Sequence, residues 1–257
     1  MTRLVHDFCR RATRILPAGL DLLFPPRCEY CDTDVASDQG DILLCTACQA
    51  RLGPELWDGC PRCAAIGTNI DGRKGRCSLC RQYPLKFVSA TTLGSYQDEL
   101  RDVVLRMKRR RSEPLSAAMG RLLAVRRARP LKDLDADLIL PVPMYWARKL
   151  ARGTNSPEVV ARCLAQQMRI PVSCRTLRRY RNTLPQKDLP VGQRFRNVRG
   201  AFAVRRSYDL QGARVLLVDD ILTTGATCSE AAGVLIKAGA AMVAAVVIAR
   251  AQGPNAT

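Results

Sequence analysis

The chain has 257 residues, 47% of them apolar, which is room for one or two domains with a substantial core. No apolar run is long enough to cross a bilayer, and the N-terminus has neither an uninterrupted apolar stretch nor a small-residue cleavage site, so the expected location is cytoplasmic. The formal charge of +18 is uneven: residues 1–90 carry 12 basic and 10 acidic side chains, residues 91–257 carry 29 and 13.

Residues 4–16 have helical spacing, with Leu4, Val5, Phe8, Ala12 and Ile15 on one side, and Pro17 and Gly19 end the pattern. His6, in this segment, is the sole histidine, so no Ser-His-Asp or Cys-His catalysis is available. Leu20–Phe24 is a short apolar run ahead of Pro25-Pro26.

Four Cys-x-x-Cys pairs follow: Cys28/Cys31, Cys45/Cys48, Cys60/Cys63 and Cys77/Cys80. Thirteen residues separate the first pair from the second, and thirteen the third from the fourth, so the unit is repeated. Two such turns can surround one tetrahedral ion with four thiolates, which leaves no open position and makes the site structural. The intervening loops hold few large apolar residues and could not build a core without metal. A reducing cytosol disfavours disulfides, and four tandem pairs are too many for one redox centre. One or two structural zinc ions are expected. Sequential pairing fits the repeat best, while an interleaved arrangement stays open because Cys48 and Cys60 are also close in sequence.

The remainder alternates strand and helix. Lys86–Tyr96 reads as a strand, Gln97–Arg109 as a helix with Leu100, Val103, Val104 and Met107 on its apolar face, and Pro114–Arg127 as a second helix. Asp137–Val142 is a short buried strand, Pro157–Met168 a helix capped by Ser156, and Val172–Leu177 a strand. Residues 178–200 are polar, Arg-rich and without periodicity, so they are expected to be a mobile, lid-like loop. Phe202 and Val204 lie on a short strand. Val215–Val218 is continuously apolar, Gly225–Ala238 is its helix, closed by Gly239, and Met242–Ala249 is the last strand. The fold class is α/β, a doubly wound parallel sheet with its ligand at the carboxyl ends of the strands. Three segments are expected: 1–27 amphipathic, 28–82 the double zinc-ribbon module, and 83–257 the α/β domain.

Residues 215–228 carry the chemistry. An apolar strand ends in Asp219 and Asp220, and a hydroxyl-rich turn, Thr223-Thr224-Gly225-Ala226-Thr227, feeds a helix N-terminus. Free backbone N–H groups and the helix dipole both favour an anion there, so the turn is a phosphate cradle. The acids would repel that phosphate and suit sugar hydroxyls instead, as acceptors. Together they describe a ribose 5-phosphate site. No Walker A sequence or Gly-x-Gly-x-x-Gly occurs.

The stretch resembles the phosphoribosyl-pyrophosphate (PRPP) signature of type I phosphoribosyltransferases. Leu-Leu-Phe-Pro-Pro-Arg-Cys (22–28), the Cys pairs, the helix 100–108, Pro141-Val142-Pro143, Arg152-Gly153, Thr183 to Gln186 and Arg194 to Phe202 narrow the resemblance to the ComF family over nearly the whole chain. The family has Phe-Asn-Gln where this chain has Thr154-Asn155-Ser156, and an aromatic where it has Arg109. The resemblance implies that Asp219 and Asp220 bind the ribose 2- and 3-hydroxyls at the reaction centre. It implies that Thr223, Thr224, Gly225, Ala226 and Thr227 bind the 5-phosphate, and that PRPP arrives with Mg²⁺. It also implies a pyrophosphate loop, for which Arg148 and Arg152, beyond Pro141-Val142-Pro143, are the candidates, with Pro143 equally readable as a rigid strand terminator; Lys108 and Arg194 are further electrostatic candidates. Family members are linked to import of transforming DNA as single strands. Three functions follow: transfer of phosphoribosyl to an acceptor, a PRPP sensor without turnover, or an adaptor that handles single-stranded DNA or contacts the uptake machinery. Aromatic residues are only 5% of the chain, so any DNA contact is expected mainly at phosphates.

Overall fold

A computed structural model describes residues 25–35, 42–66, 70–71 and 76–251. The expected helix 4–16, with His6 and Cys9, and the run Leu20–Phe24 lie outside them. The cysteine-rich part holds α1 (Thr46–Leu52), a minimal hairpin of β1 (Ile70–Asp71) and β2 (Arg76–Cys77), and one turn of helix, α2 (Ser78–Arg81). Then come β3 (Ala90–Ser95), α3 (Asp98–Met107), α4 (Glu113–Arg126), α5 (Ala128–Lys132), β4 (Leu138–Pro141), α6 (Trp146–Arg152) and α7 (Ser156–Met168). The chain closes with β5 (Leu177–Arg179), a 3-10 turn (Gln186–Asp188), α8 (Val191–Val198), β6 (Phe202–Val204), β7 (Arg214–Leu222), α9 (Ala226–Lys237) and β8 (Met242–Arg250).

β3, β8, β7 and β4 form a parallel sheet in that order. β7 and β8 sit in the middle and are apolar on both faces, because helices cover both. Leu216, Val218, Ala244, Val246 and Ile248 face a core shared with α3, α4 and α7. Val215, Leu217, Val243, Ala245 and Val247 face α9 and the β5–β6 hairpin. The expected doubly wound arrangement is thus present. The predicted apolar face of α3 is buried as a set. A Cβ on Gly120 of α4 would come within 3.1 Å of Val160 Cα, so the missing side chain sets how closely α4 and α7 pack.

Four expectations are corrected. Ser156 does not cap α7: Asn155 holds that position without a side-chain cap bond, and the Ser156 hydroxyl donates to Met107 O at 2.7 Å. The strand expected at 172–177 is present only at its end: Val172 makes an isolated bridge to Ile139, and pairing begins at Leu177, antiparallel to β6. Residues 178–200 are not a structureless loop, since they include part of β5, the 3-10 turn and α8, whose Arg194 and Val198 are buried. The turn expected to carry Arg148 and Arg152 is instead α6.

Candidate functional site

β7 runs on through the acids to Leu222, so Asp219 and Asp220 are strand residues at its carboxyl end. Strand alternation sends their side chains to opposite faces. Asp219 Oδ1 accepts from the Asp220 amide at 2.9 Å, and Asp220 Oδ1 from the Ile221 amide at 2.8 Å. Burial, reinforced by the neighbouring charge of Asp220, pushes the Asp219 carboxyl up to about 8. Lys108, at the end of α3, places Nζ 3.0 Å from Asp220 Oδ2. Cys228 is buried in the first turn of α9 and directs its thiol towards Asp219 Oδ2 at 3.8 Å, where burial and that carboxylate push its pKa up.

Between β7 and α9 lies the hydroxyl-rich turn. Gly225 has φ 81, a left-handed conformation that suits glycine, and it starts α9. The first turn of α9 has no acidic residue, so nothing there opposes an anion. Thr224 Oγ1 accepts from the Ala226 amide at 3.4 Å. Thr227 Oγ1 is met by Gln186 Nε2 at 3.4 Å, while Gln186 Oε1 is buried with no partner among the described residues.

The remaining sequence candidates separate. Arg148 donates from Nη2 to Thr183 O at 2.6 Å, which fastens α6 to the segment after β5. Arg152 is exposed at the end of α6. Arg194 is buried and donates from Nε to Leu189 O at 3.2 Å, so it is committed to its own loop. Thr154 and Asn155 are also buried, and Asn155 Nδ2 donates to Val142 O at 3.3 Å, tying the start of α7 to the end of β4.

Arg179 was not signalled by the sequence, where it sits in an undifferentiated basic run. Its guanidinium bonds Thr183 Oγ1 and lies over the Phe202 ring. Burial, then the charge of Arg148, holds its pKa below the usual arginine value, while Asp219 acts in the opposite sense. The charges of Arg148 and Asp219 are thus both felt at the Arg179 guanidinium.

The cysteines gather as two groups, Cys28/Cys31/Cys45/Cys48 and Cys60/Cys63/Cys77/Cys80, with the sulfurs of each within 4.8 Å of one another. The grouping is the sequential one. Sγ–Sγ separations are 3.7 Å for Cys31–Cys45, 3.5 Å for Cys63–Cys77 and 4.0 Å for Cys60–Cys80. Four sulfurs at zinc–thiolate distance on a tetrahedron lie about 3.8 Å apart, so both groups fit zinc. Burial above all drives the Cys48 and Cys63 thiols towards the protonated form, and a divalent ion supplies the charge that makes adjacent thiolates tenable.

Residues 19–82 match the family model of the double zinc ribbon domain, and residues 156–256 that of the phosphoribosyl transferase domain. "DNA utilization protein YhgH" of Salmonella typhi is 31% identical over 225 residues, covering 86% of this chain and 96% of that protein. The Escherichia coli (strain K12) protein of the same name is 30% identical over 227 residues with the same coverage. "Competence protein F" of Haemophilus influenzae is 28% identical over 200 residues, 76% of this chain and 85% of the relative. Among solved structures, glutamine PRPP amidotransferase from B. subtilis aligns with 53% of this chain and 26% of its own, at 24% identity and a TM-score of 0.37. With both domains matched and relatives of this similarity along most of its length, the chain belongs to the ComF/YhgH family of phosphoribosyltransferase-like proteins with an N-terminal double zinc ribbon.

Proposed function

We propose that this protein binds PRPP at the carboxyl end of β7 and serves the use of incoming DNA. The observation that carries the reading is the juxtaposition of the Asp219–Asp220 pair with a threonine-lined, acid-free helix start. In this reading the two carboxyl groups take the ribose 2- and 3-hydroxyls, and Thr223 to Thr227 hold the 5-phosphate with backbone N–H groups and hydroxyls. Lys108 is released from Asp220 when the hydroxyls arrive and turns its charge towards the diphosphate. Arg148 and Arg179 add theirs as the leaving group develops charge. Mg²⁺ enters with PRPP as part of the substrate and neutralises the same oxygens. The names of the relatives support a role in DNA utilisation and competence. The reading places the protein in the cytoplasm, where PRPP is available.

PRPP with Mg²⁺ is expected to raise the thermal midpoint of the zinc-loaded protein in proportion to the logarithm of its concentration. Asp220→Ala should abolish the rise, and a wild-type midpoint indifferent to PRPP would refute the site. Pyrophosphate release across a panel of bases and amines then separates transfer from sensing.

A second reading, contact with single-stranded DNA, has its own support. Trp146 is 63% and Tyr180 56% exposed, on two segments joined by the Arg148–Thr183 bond, with Arg148 and Arg181 nearby in sequence. Exposed aromatics among arginines are the chemistry of a base-stacking platform, and the low aromatic content had argued against one. Binding that weakens steeply with salt, falls with Trp146→Ala and survives Asp219→Ala is the expected outcome.

A further inference from the structure

Arg250 ends β8 and is 2% exposed, so its guanidinium must meet its hydrogen-bonding needs inside the protein. It does so with backbone carbonyls from three places. Nε donates to Cys63 O at 2.6 Å, and Nη1 donates to Leu222 O at 2.8 Å, to Thr223 O at 2.5 Å and to Ala251 O. Cys63 belongs to the second cysteine group, while Leu222 and Thr223 are the last residue of β7 and the first of the phosphate turn. One planar fork thus spans the zinc ribbon and the turn.

Further contacts join the same parts. A Cβ on Gly225 would lie 2.7 Å from Leu85 Cδ2, and Leu85 packs both on the second cysteine group and on the apolar cluster beneath α9. Arg62, between two ligands, donates from Nη2 to Leu85 O at 2.8 Å. On α9, Ser229 Oγ donates to Pro84 O at 2.7 Å and accepts from the Lys86 amide at 3.0 Å.

We propose that the second zinc cluster is a structural part of the phosphate site, with Arg250 as the positioning residue that transmits its integrity to residues 222–225. The regulation this implies rests on the PRPP reading above. Withdrawal of the second zinc loosens the turn and weakens PRPP binding, and by linkage PRPP slows the release of that zinc.

Arg127 supplies an internal control. It is 4% exposed and also bonds only carbonyls, of Thr92, Leu93, Pro54, Glu55 and Arg126, so it ties β3 to the segment after α1 rather than to the turn. In zinc-loaded full-length protein, Arg250→Lys keeps the charge but cannot span the same carbonyls. It should leave zinc content unchanged, weaken calorimetric PRPP–Mg²⁺ affinity by about tenfold or more, and accelerate amide exchange at residues 223–226. Arg127→Lys should lower thermal stability without either effect. Unchanged affinity and exchange in Arg250→Lys, or equal effects from both variants, would overturn the proposal.

A wild-type arm removes dependence on any substitution. After zinc is withdrawn by a chelator, exchange at residues 223–226 should rise at least about tenfold relative to α4. Unaltered exchange at the turn in zinc-free protein contradicts the coupling even if Arg250→Lys does not fold. Absence of PRPP binding by the wild type would instead refute the site reading, and the exchange result would still decide the coupling.

Discussion

The two cysteine groups repeat one another in sequence and differ in surroundings. In the first, Cys31 is exposed and Cys45 half-buried; in the second, all four ligands are buried. The first is welded to the helical side of the domain. Cys28, Val35, Leu44, Cys48 and Leu52 share a core with α3, α4 and α7, Arg106 reaches Tyr30 O at 3.0 Å, and Arg51 pairs with Glu99 at 2.9 Å. The second makes a small apolar cluster of its own and reaches the domain through Leu85, Arg62 and Arg250, next to the phosphate turn. The repeated unit therefore packs in two ways: one copy extends the core, and the other lies against the turn after β7, where we propose that it braces the site.

The largest effect should come from removing ligands. Cys77→Ser deletes a fully buried ligand and is expected to halve zinc content and lower the thermal midpoint by on the order of 10 °C. Cys31→Ser, at an exposed vertex that water can fill, should cost clearly less. Equal losses, measured by zinc analysis and calorimetry, would break the contrast. Next in size is the core contribution of the first copy. Leu52 is fully buried, so Leu52→Ala should destabilise by about 2–5 kcal/mol in chemical denaturation, while Leu79→Ala, half-buried beside the second group, should cost much less.

The acid pair should give an effect that depends on pH. Because the Asp219 carboxyl is raised from its ordinary value to about 8, the folded protein holds a proton that the unfolded chain releases between about pH 4 and pH 8. The contribution of this group to stability therefore falls as pH rises through that window. Asp219→Asn should raise the thermal midpoint more at pH 8 than at pH 4, while a pH-independent shift would place the cause elsewhere.

The parts legible in the sequence are those where one physical requirement dominates. Val215–Val218 had to be a doubly covered strand because nothing interrupts its apolar run, although the strand continues past the acid pair to Leu222. The thirteen-residue repeat favoured sequential sharing of each ion and left the interleaved one open, and the structure gives the sequential grouping. What stayed hidden depends on partners distant in sequence. α6 carries Trp146 and Leu150 exposed and has no buried face, so no periodicity announces it. α8 buries little beyond Arg194 and Val198, and a buried arginine reads as polar. Arg179 looks like its basic neighbours until its guanidinium lies over Phe202. Arg250 looks like the solvated end of a strand, and its partners lie 187, 28 and 27 residues away.

The most direct measurement is isothermal titration of the zinc-loaded protein with PRPP and Mg²⁺, run in parallel with ribose 5-phosphate and with Asp220→Asn. Saturable binding of PRPP, weaker binding of ribose 5-phosphate, and a loss of about 10- to 100-fold in the variant are the results expected. Heats that match dilution for the wild type, or an affinity untouched by the substitution, would contradict a sugar-phosphate site at the end of β7.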